Sequence, residues 1–392
     1  MIGVFYVTLV GNIDSAAVIP IIANYSAFLG ANQVLIGLIV GIYSVVHIVS
    51  NVVFGRLVDK IGRKLSLVLG FIFDALNMYL YSVAANPIHL LLIRGFHGLG
   101  GGFIGPASMS LLSDNTPKKF SGRAMAIYGI SLALAMLIGF MVGGALSHFL
   151  GYAMLFYSMS ALLLSGAFVS LILPAKGITV EVAEDRSILE SLKREFNVFV
   201  KTVFRKEMFN AYMPVFSLNF VLGVITAIYA RYITENFGYS NLHIGILFSV
   251  LVVLSIIVHY PAGHISDYHG KKWILFVGLM LYALSFAVLP NFSVFYEIVI
   301  LVAIMGVGHG MVFPVSSAVI KDYTEINNRG IATGTFYSMI VAGIAVGSMS
   351  MSYIAEVVGK AYAISLSAVI PFLTALCILV IKQQRQDQIS KD

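Results

Sequence analysis

Twelve mostly apolar runs follow one another along the chain, at roughly residues 2–29, 34–54, 65–85, 88–112, 123–148, 151–173, 207–232, 241–262, 272–289, 296–320, 329–354 and 358–381. Each is close to the ~20 residues that an α-helix needs to cross a bilayer's hydrocarbon core. None has the strict alternation of a membrane β-strand. Composition agrees: 59% of the 392 residues are apolar and 11% are charged, with a mean hydropathy of +0.93. Too little polar surface remains to cover a water-soluble globule. That excludes a soluble enzyme, a nucleic-acid binder and a disordered chain. The fold class implied is an all-α membrane protein with twelve transmembrane helices. No cleavable signal peptide is expected, since the first run is long enough to span and carries Asp14. The lone cysteine, Cys377, cannot form an internal disulfide or a thiolate metal site.

Of the 24 Lys and Arg residues, 21 fall in the tail or in loops on one side; Arg231 and Lys360 lie on the other, and Arg94 lies within a span. Basic residues collect on the cytoplasmic side, so both termini are expected there, in a plasma membrane. The longest polar stretch, 174–206, is the expected cytoplasmic linker between an N-terminal bundle (1–173) and a C-terminal bundle (207–381), with 382–392 as a cytoplasmic tail. Within the linker Ile188, Leu189, Leu192, Phe196, Val200 and Val203 recur at helical spacing. That fits either an amphipathic helix on the membrane surface or a plain connector.

A shift of 208 residues superposes eleven glycine pairs, among them Gly55/Gly263, Gly62/Gly270, Gly98/Gly306, Gly102/Gly310 and Gly139/Gly347, together with Asp59/Asp267, Lys64/Lys272 and Pro106/Pro314. Random placement would give roughly two glycine pairs, so the chain reads as a duplication. Six spans per repeat is an even number. The halves therefore share one topology about an axis along the membrane normal, with a substrate site expected between them near the midplane.

The segment after the second run reads Gly55-Arg56-Leu57-Val58-Asp59-Lys60-Ile61-Gly62-Arg63-Lys64, and its repeat reads Gly263-His264-Ile265-Ser266-Asp267-Tyr268-His269-Gly270-Lys271-Lys272. Both copies fit G-x-[LI]-x-D-x-x-G-[RK]-K. Read as a loop, the glycine permits close approach to a helix end, the aspartate can accept from a helix N-terminus or pair with arginine, and the basic pair holds the cytoplasmic face. With these residues the chain resembles the major facilitator superfamily over essentially its full length. Arg94-Gly95-Phe96-His97-Gly98-Leu99-Gly100 is similar to that family's fourth-helix motif, R-x-x-x-G-x-G. Ala135, Gly139, Phe140, Gly143 and Gly144 occupy the places of the fifth-helix motif of its drug/proton antiporter branch, with Phe140 where that motif has proline. The resemblance implies an alternating-access transporter with spans 1, 4, 7 and 10 lining the cavity. It also implies that Asp59 and Asp267 help close the cytoplasmic side, against Arg329-Gly330 and Gly122-Arg123.

Ionisable residues inside spans are costly and so point to function. Asp14 in span 1 and Arg94 in span 4 can face each other. They read either as a proton-coupling carboxyl that responds to Arg94 or as a permanent ion pair that fixes packing. His97, one turn from Arg94, and His309 in span 10 read as substrate contacts, proton relays or packing histidines. No third ligand has a suggestive spacing, so no metal site and no cofactor are expected. His47 and Asp74 lie at similar depth and read as a buried pair, stabilising rather than on a pathway.

The stripes Asp14, Val18, Ile21, Tyr25; Asn219, Thr226, Tyr229; and Gly306, His309, Phe313 would build a mostly apolar, aromatic cavity. Such a lining suits amphipathic or hydrophobic compounds better than sugars. The leading reading is proton-coupled export of such compounds by a monomer, in contact with substrate, protons and membrane lipids, the export direction being what the resemblance to the drug/proton antiporter branch implies. A symporter or facilitator importing a metabolite uses the same residues. A non-cycling receptor or lipid scramblase is a third reading. No phosphate-cradling loop and no nucleophile–base set are present, so no catalytic residues and no nucleic-acid partner are expected.

Overall fold

The computed structural model describes residues 2–114, 116, 121–173, 202–203, 205–324 and 329–380, and among them it contains helices and turns but no strand. The helices are α1 (Ile2–Val18), α2 (Ile22–Phe28), α3 (Gln33–Ile61), α4 (Arg63–Ser82), α5 (Pro87–Asp114), α6 (Ser121–Phe149), α7 (Gly151–Ile172), α8 (Phe209–Val224), α9 (Ala230–Phe237), α10 (Asn241–His269), α11 (Lys271–Val288), α12 (Phe295–Tyr323), α13 (Arg329–Val358), α14 (Lys360–Ser367) and α15 (Val369–Val380). Ten stretches are long and apolar enough to cross a membrane, and the bent pair α1–α2 makes an eleventh. Helix α5 coincides with the remaining run; it is 28 residues long but less apolar, because His89, Arg94, His97 and a string of glycines lie along it. The expected amphipathic helix and most of the linker lie outside the described residues, as does the tail.

The first span is not one straight helix. It bends by 50° between α1 and α2. Pro20 stands in the break; proline has no N–H to donate and its ring crowds the carbonyl four residues back. The doubled segment is likewise not a loop. Residues 55–61 and 263–269 are the last turns of α3 and α10, and only Gly62 and Gly270 interrupt the helices that follow. Both take a positive φ, 88° and 84°, with an extended ψ that a Cβ would forbid.

The chain packs as two compact units. The first holds α1–α7 with Ala230–Ser249, and the second holds Phe209–Tyr229 with the helices from Val250 onward. The duplication reappears as equivalent helix crossings. In the first unit Gly98 and Gly102 set α5 against Tyr43 and Ser50 of α3; in the second, Gly306 and Gly310 set α12 against Leu251 and Ser255 of α10. Gly139 and Gly143 lay α6 on the backbone of α1 at Ile13 and Ala17, as Gly343 and Gly347 lay α13 on α8 at Phe216 and Phe220. Small residues at such crossings let backbones touch where no hydrophobic drive separates helix from lipid. Helix α4 shows the two-sided result: Phe71, Asp74, Ala75, Met78 and Tyr81 face inward, while Leu65, Leu69, Ile72, Leu76 and Tyr79 form an exposed apolar stripe that suits lipid.

A Cβ at residue 143 would overlap the Ala17 carbonyl, whereas one at Gly105 meets nothing within 4 Å. Gly143→Ala is therefore expected to cost about 1–3 kcal/mol by overpacking. Gly105→Ala should stay within about 0.5 kcal/mol of the parent. Thermal unfolding of the two variants in one detergent checks the difference.

Candidate functional site

In the first unit, α1, α3, α4 and α5 bring ionisable and aromatic groups into one buried cluster. Asp14, Asp74, Arg94 and His97 are all at least 96% buried, at 1%, 2%, 4% and 1% relative exposure. His97 Nε2 lies 3.3 Å from Asp14 Oδ2. Its other ring nitrogen, Nδ1, lies 3.1 Å from the Tyr81 hydroxyl and 3.4 Å from Arg94 Nη1. Arginine is a donor only, so Nδ1 accepts, and the ring's own proton sits on Nε2 and is donated to Asp14. The imidazole is thus held neutral between a cation and an anion. Arg94 also donates to the Tyr81 hydroxyl at 3.4 Å and stacks on the Tyr43 ring, 4.4 Å from its centroid.

This differs from the expected direct pair. Among the described residues no ion pair joins Asp14 to Arg94, and His97 stands between them. The expected His47–Asp74 pair is also absent among the described hydrogen bonds and ion pairs. The reason lies in α5. A Cβ on Gly100 would overlap the Asp74 carboxyl, and one on Gly101 would overlap the His47 ring. Successive residues of a helix point about 100° apart, so these two groups are received on different sides of α5. Asp74 instead joins Asp14: one carboxylate oxygen from each and a ring nitrogen of His97 lie within 4.8 Å of one another. Oδ1 of Asp14 and Oδ1 of Asp74 are buried without a hydrogen-bond partner. The last glycine of the R-x-x-x-G-x-G motif is the space that admits Asp74.

The second unit holds a different cluster. Ser255 Oγ lies 2.7 Å from His309 Nδ1 and 3.2 Å from His259 Nε2. Both imidazoles lie nearly parallel to the Phe313 ring, at 10° and 17° with centroids 5.9 Å away. His259 and Ser255 have no counterpart in the sequence reading, because neither falls on the stripes expected to line the cavity. The other expected cavity residues sit differently. Asn219 and Thr226 are buried and donate to the carbonyls of Val215 and Leu222 on their own helix, at 2.8 and 2.9 Å. Thr226 and Tyr229 belong to a π-helical turn, Ile225–Tyr229, between α8 and α9. The Tyr25 hydroxyl donates to the Tyr81 carbonyl at 2.5 Å while its ring packs on Tyr152 and Phe156.

Further along α2, Asn24 donates to Thr234 Oγ1 at 2.9 Å and to Asn241 Oδ1 at 2.8 Å, and Asn241 donates to the Tyr152 hydroxyl at 3.2 Å. This uncharged network ties α2 and α7 to α9 and α10 within the first unit. It borders an open cavity of about 810 Å³ lined by Tyr25, Phe28, Arg231 and Thr234 among others. Single asparagines carry no distinctive spacing, so no pattern in the residues marks it.

In the second copy of the doubled motif, Lys271 pairs with Asp322 and donates to the Ala318 carbonyl at 3.1 Å, and Lys272 donates to the Leu379 carbonyl at 2.5 Å. The basic pair therefore caps the C-terminal ends of α12 and α15, where partial negative charge collects. Asp267 is exposed. In the first copy, Arg63 and Lys64 open α4; the surroundings of Gly55 and Asp59 lie outside the described set, as do those of the expected partners Gly122, Arg123, Arg329 and Gly330.

Residues 4–228, and again 213–391, match the family model of the Major Facilitator Superfamily. The chain belongs to this superfamily. It is an integral membrane transporter and not an enzyme. Superfamily members similar to it include an uncharacterized MFS-type transporter of Methanocaldococcus jannaschii, 23% identical over 91% of each chain. Multidrug resistance protein 2 of Bacillus subtilis is 22% identical over 81% of this chain and 79% of its own. A multidrug resistance efflux pump of Streptococcus pneumoniae is 31% identical over 41% of each. Among solved structures, a bacterial homolog of the human lysosomal transporter Spinster superposes with a TM-score of 0.79 at 14% identity, covering 97% of this chain and 95% of that one. The nucleoside transporter NupG does so at 0.80 and 13%, covering 98% and 99%. These structural likenesses establish the fold.

If Gly100 exists to admit Asp74, then Gly100→Ala should cost about 1–3 kcal/mol in the parent and less than about 0.5 kcal/mol in an Asp74→Ala background. A double-mutant cycle of thermal unfolding midpoints measures the coupling; equal costs in both backgrounds would reject the assignment.

Proposed function

We propose that this transporter exports small amphipathic compounds by alternating access, driven by proton entry through Asp14. The observation that carries the reading is the buried Asp14–His97–Arg94 chain, with one Asp14 oxygen held by His97 and the other unpartnered. Its mechanism follows from hydrogen-bond strength. While Asp14 is ionised, His97 Nε2–H makes a charge-assisted bond to it and so ties α1 to α5. Such bonds are roughly twice as strong as neutral ones. A proton on Asp14 removes the charge and weakens the tie. Protonation therefore shifts the energetic balance between helix arrangements, as any ligand with differential affinity does.

Export is supported by relatives named as multidrug resistance proteins and efflux pumps. On the substrate side, His309, His259 and Phe313 offer flat rings and few hydrogen-bond partners, which suits an amphipathic compound. In this reading the protein works as a monomer in a plasma membrane, with both termini cytoplasmic and its twelve spans facing lipid.

Reconstituted proteoliposomes with an imposed pH gradient and a panel of fluorescent amphipathic dyes test it. Wild type should move dye against its gradient when protons run the other way. Asp14→Asn should lose about 5- to 150-fold of the pH-driven component, the range of a 1–3 kcal/mol coupling, while keeping downhill exchange. Uphill transport by Asp14→Asn with an unchanged pH profile would defeat the proposal.

A further inference from the structure

The cluster in the first unit carries two carboxyl groups, Asp14 and Asp74, but one guanidinium, Arg94, and its histidine is held neutral by donors at Nδ1. The groups facing Asp74 are Asp14 from α1, Tyr43 from α3, Tyr81 on its own helix and His97 from α5, with Arg94 on the far side of the imidazole. None of them donates a hydrogen bond to Asp74 among the described residues. With both carboxyls ionised the buried cluster would hold one uncompensated negative charge, which a low-dielectric interior does not tolerate. Like charges this close do not both ionise; a pair of carboxyls then shares a single proton.

We propose that Asp14 and Asp74 together form a binding site for one small monovalent cation, a proton or a dehydrated sodium ion, with His97 as the residue that positions Asp14. Each carboxyl keeps an unpartnered oxygen, Oδ1, that is free to take a ligand. One oxygen of Asp14 lies within 4.8 Å of one of Asp74, a separation that a cation with oxygens at roughly 2.4 Å on either side spans. Charge selects the valence: one added positive charge neutralises the cluster, whereas a divalent ion would leave an excess of one positive charge beside Arg94. His97 contributes no ligand, because its Nε2–H is already donated to Asp14. Asp74 thus belongs to the coupling machinery rather than to a stabilising pair with His47.

This inference deepens the coupling reading and rests on it for what the site is used for. Its test reads the site alone, with no substrate and no gradient, so the two can fail separately. Infrared difference spectra are recorded on the full-length protein in detergent at neutral pH in sodium-free buffer. Wild type should show one protonated buried carboxyl in the acid C=O stretch region. Asp14→Asn and Asp74→Asn should each lose it, since the remaining carboxylate is then balanced by Arg94. Adding sodium chloride, against choline chloride at equal ionic strength, separates the sources: loss of the band assigns the site to sodium, and an unchanged band assigns it to the proton. A wild-type spectrum without the band overturns the proposal whether or not either variant folds. So does a band that persists in Asp74→Asn.

Discussion

Backbone contact between α5 and its neighbours fixes where the buried charges of the first unit can meet. Gly98 lies on the Tyr43 carbonyl and Gly102 on Ser50, which brings α3 close enough for Tyr43 to stack on Arg94 and to lie 5.0 Å from the His97 ring. Gly100 opens the α4 side to Asp74. On α1, Gly139 and Gly143 of α6 press on Ile13 and Ala17, the residues on either side of Asp14. A methyl group at any of these positions would move a helix by a sizeable fraction of a hydrogen-bond length. The polar cluster is thus a consequence of helix crossings built from residues with no side chain, and its geometry is as rigid as those crossings.

The polar residues elsewhere in the spans show what ordinary satisfaction looks like. With no water in the hydrocarbon region, each donor must find a partner within the protein. Thr8, Ser131, Ser147, Ser170 and Asn219 all donate to the carbonyl four residues earlier on their own helix, at 2.6 to 2.8 Å. These groups need no partner helix and carry no message about function. A carboxylate has no donor to offer a backbone carbonyl, so Asp14 and Asp74 cannot be satisfied that way. They must draw on groups from other helices, and only Asp14 does so, through His97. Neutral acceptors are also left over, at Asn24, Asn210 and Ser316, but an unpaired amide or hydroxyl costs far less than an unpaired charge.

The all-helical membrane architecture, the duplication and the meeting of Asp14, Arg94 and His97 were legible in the residues. Span length is imposed by bilayer thickness, glycines repeat because crossings repeat, and an intramembrane charge is too costly to be incidental. Other features were not legible for reasons that are equally physical. The break after Val18 depends on one proline inside an apolar run that otherwise reads as continuous. The doubled motif reads as a loop because it is rich in charge and glycine, yet a helix can extend past the membrane surface, and only Gly62 and Gly270 end it. Equal depth suggested that His47 meets Asp74, but depth fixes one coordinate of three. The angular position around α5 separates them and sends Asp74 to Asp14. Metal-type spacing rules fail in the same way, since Asp14, Asp74 and His97 come from three helices and share no local pattern.

The duplication kept the scaffold and let the contents diverge. The 208-residue shift carries Asp14, Asp74, Arg94 and His97 to Leu222, Tyr282, Val302 and Met305, so every charged member of the cluster has an uncharged counterpart. Conversely, His47 and Gly101 map to Ser255 and His309, the centre of the histidine cluster in the second unit. The crossings that frame both sites, Gly98 and Gly102 in one and Gly306 and Gly310 in the other, are the same. A charged cluster repeated in both units would carry twice the imbalance and call for two compensating cations. Confining it to the first unit leaves one unit of excess charge in the chain's interior, which sets a single monovalent cation as the balancing load. Among the described residues the second unit buries no Asp, Glu, Lys or Arg, so flat, weakly polar groups at the equivalent depth can meet a ligand without the cost of burying an ion.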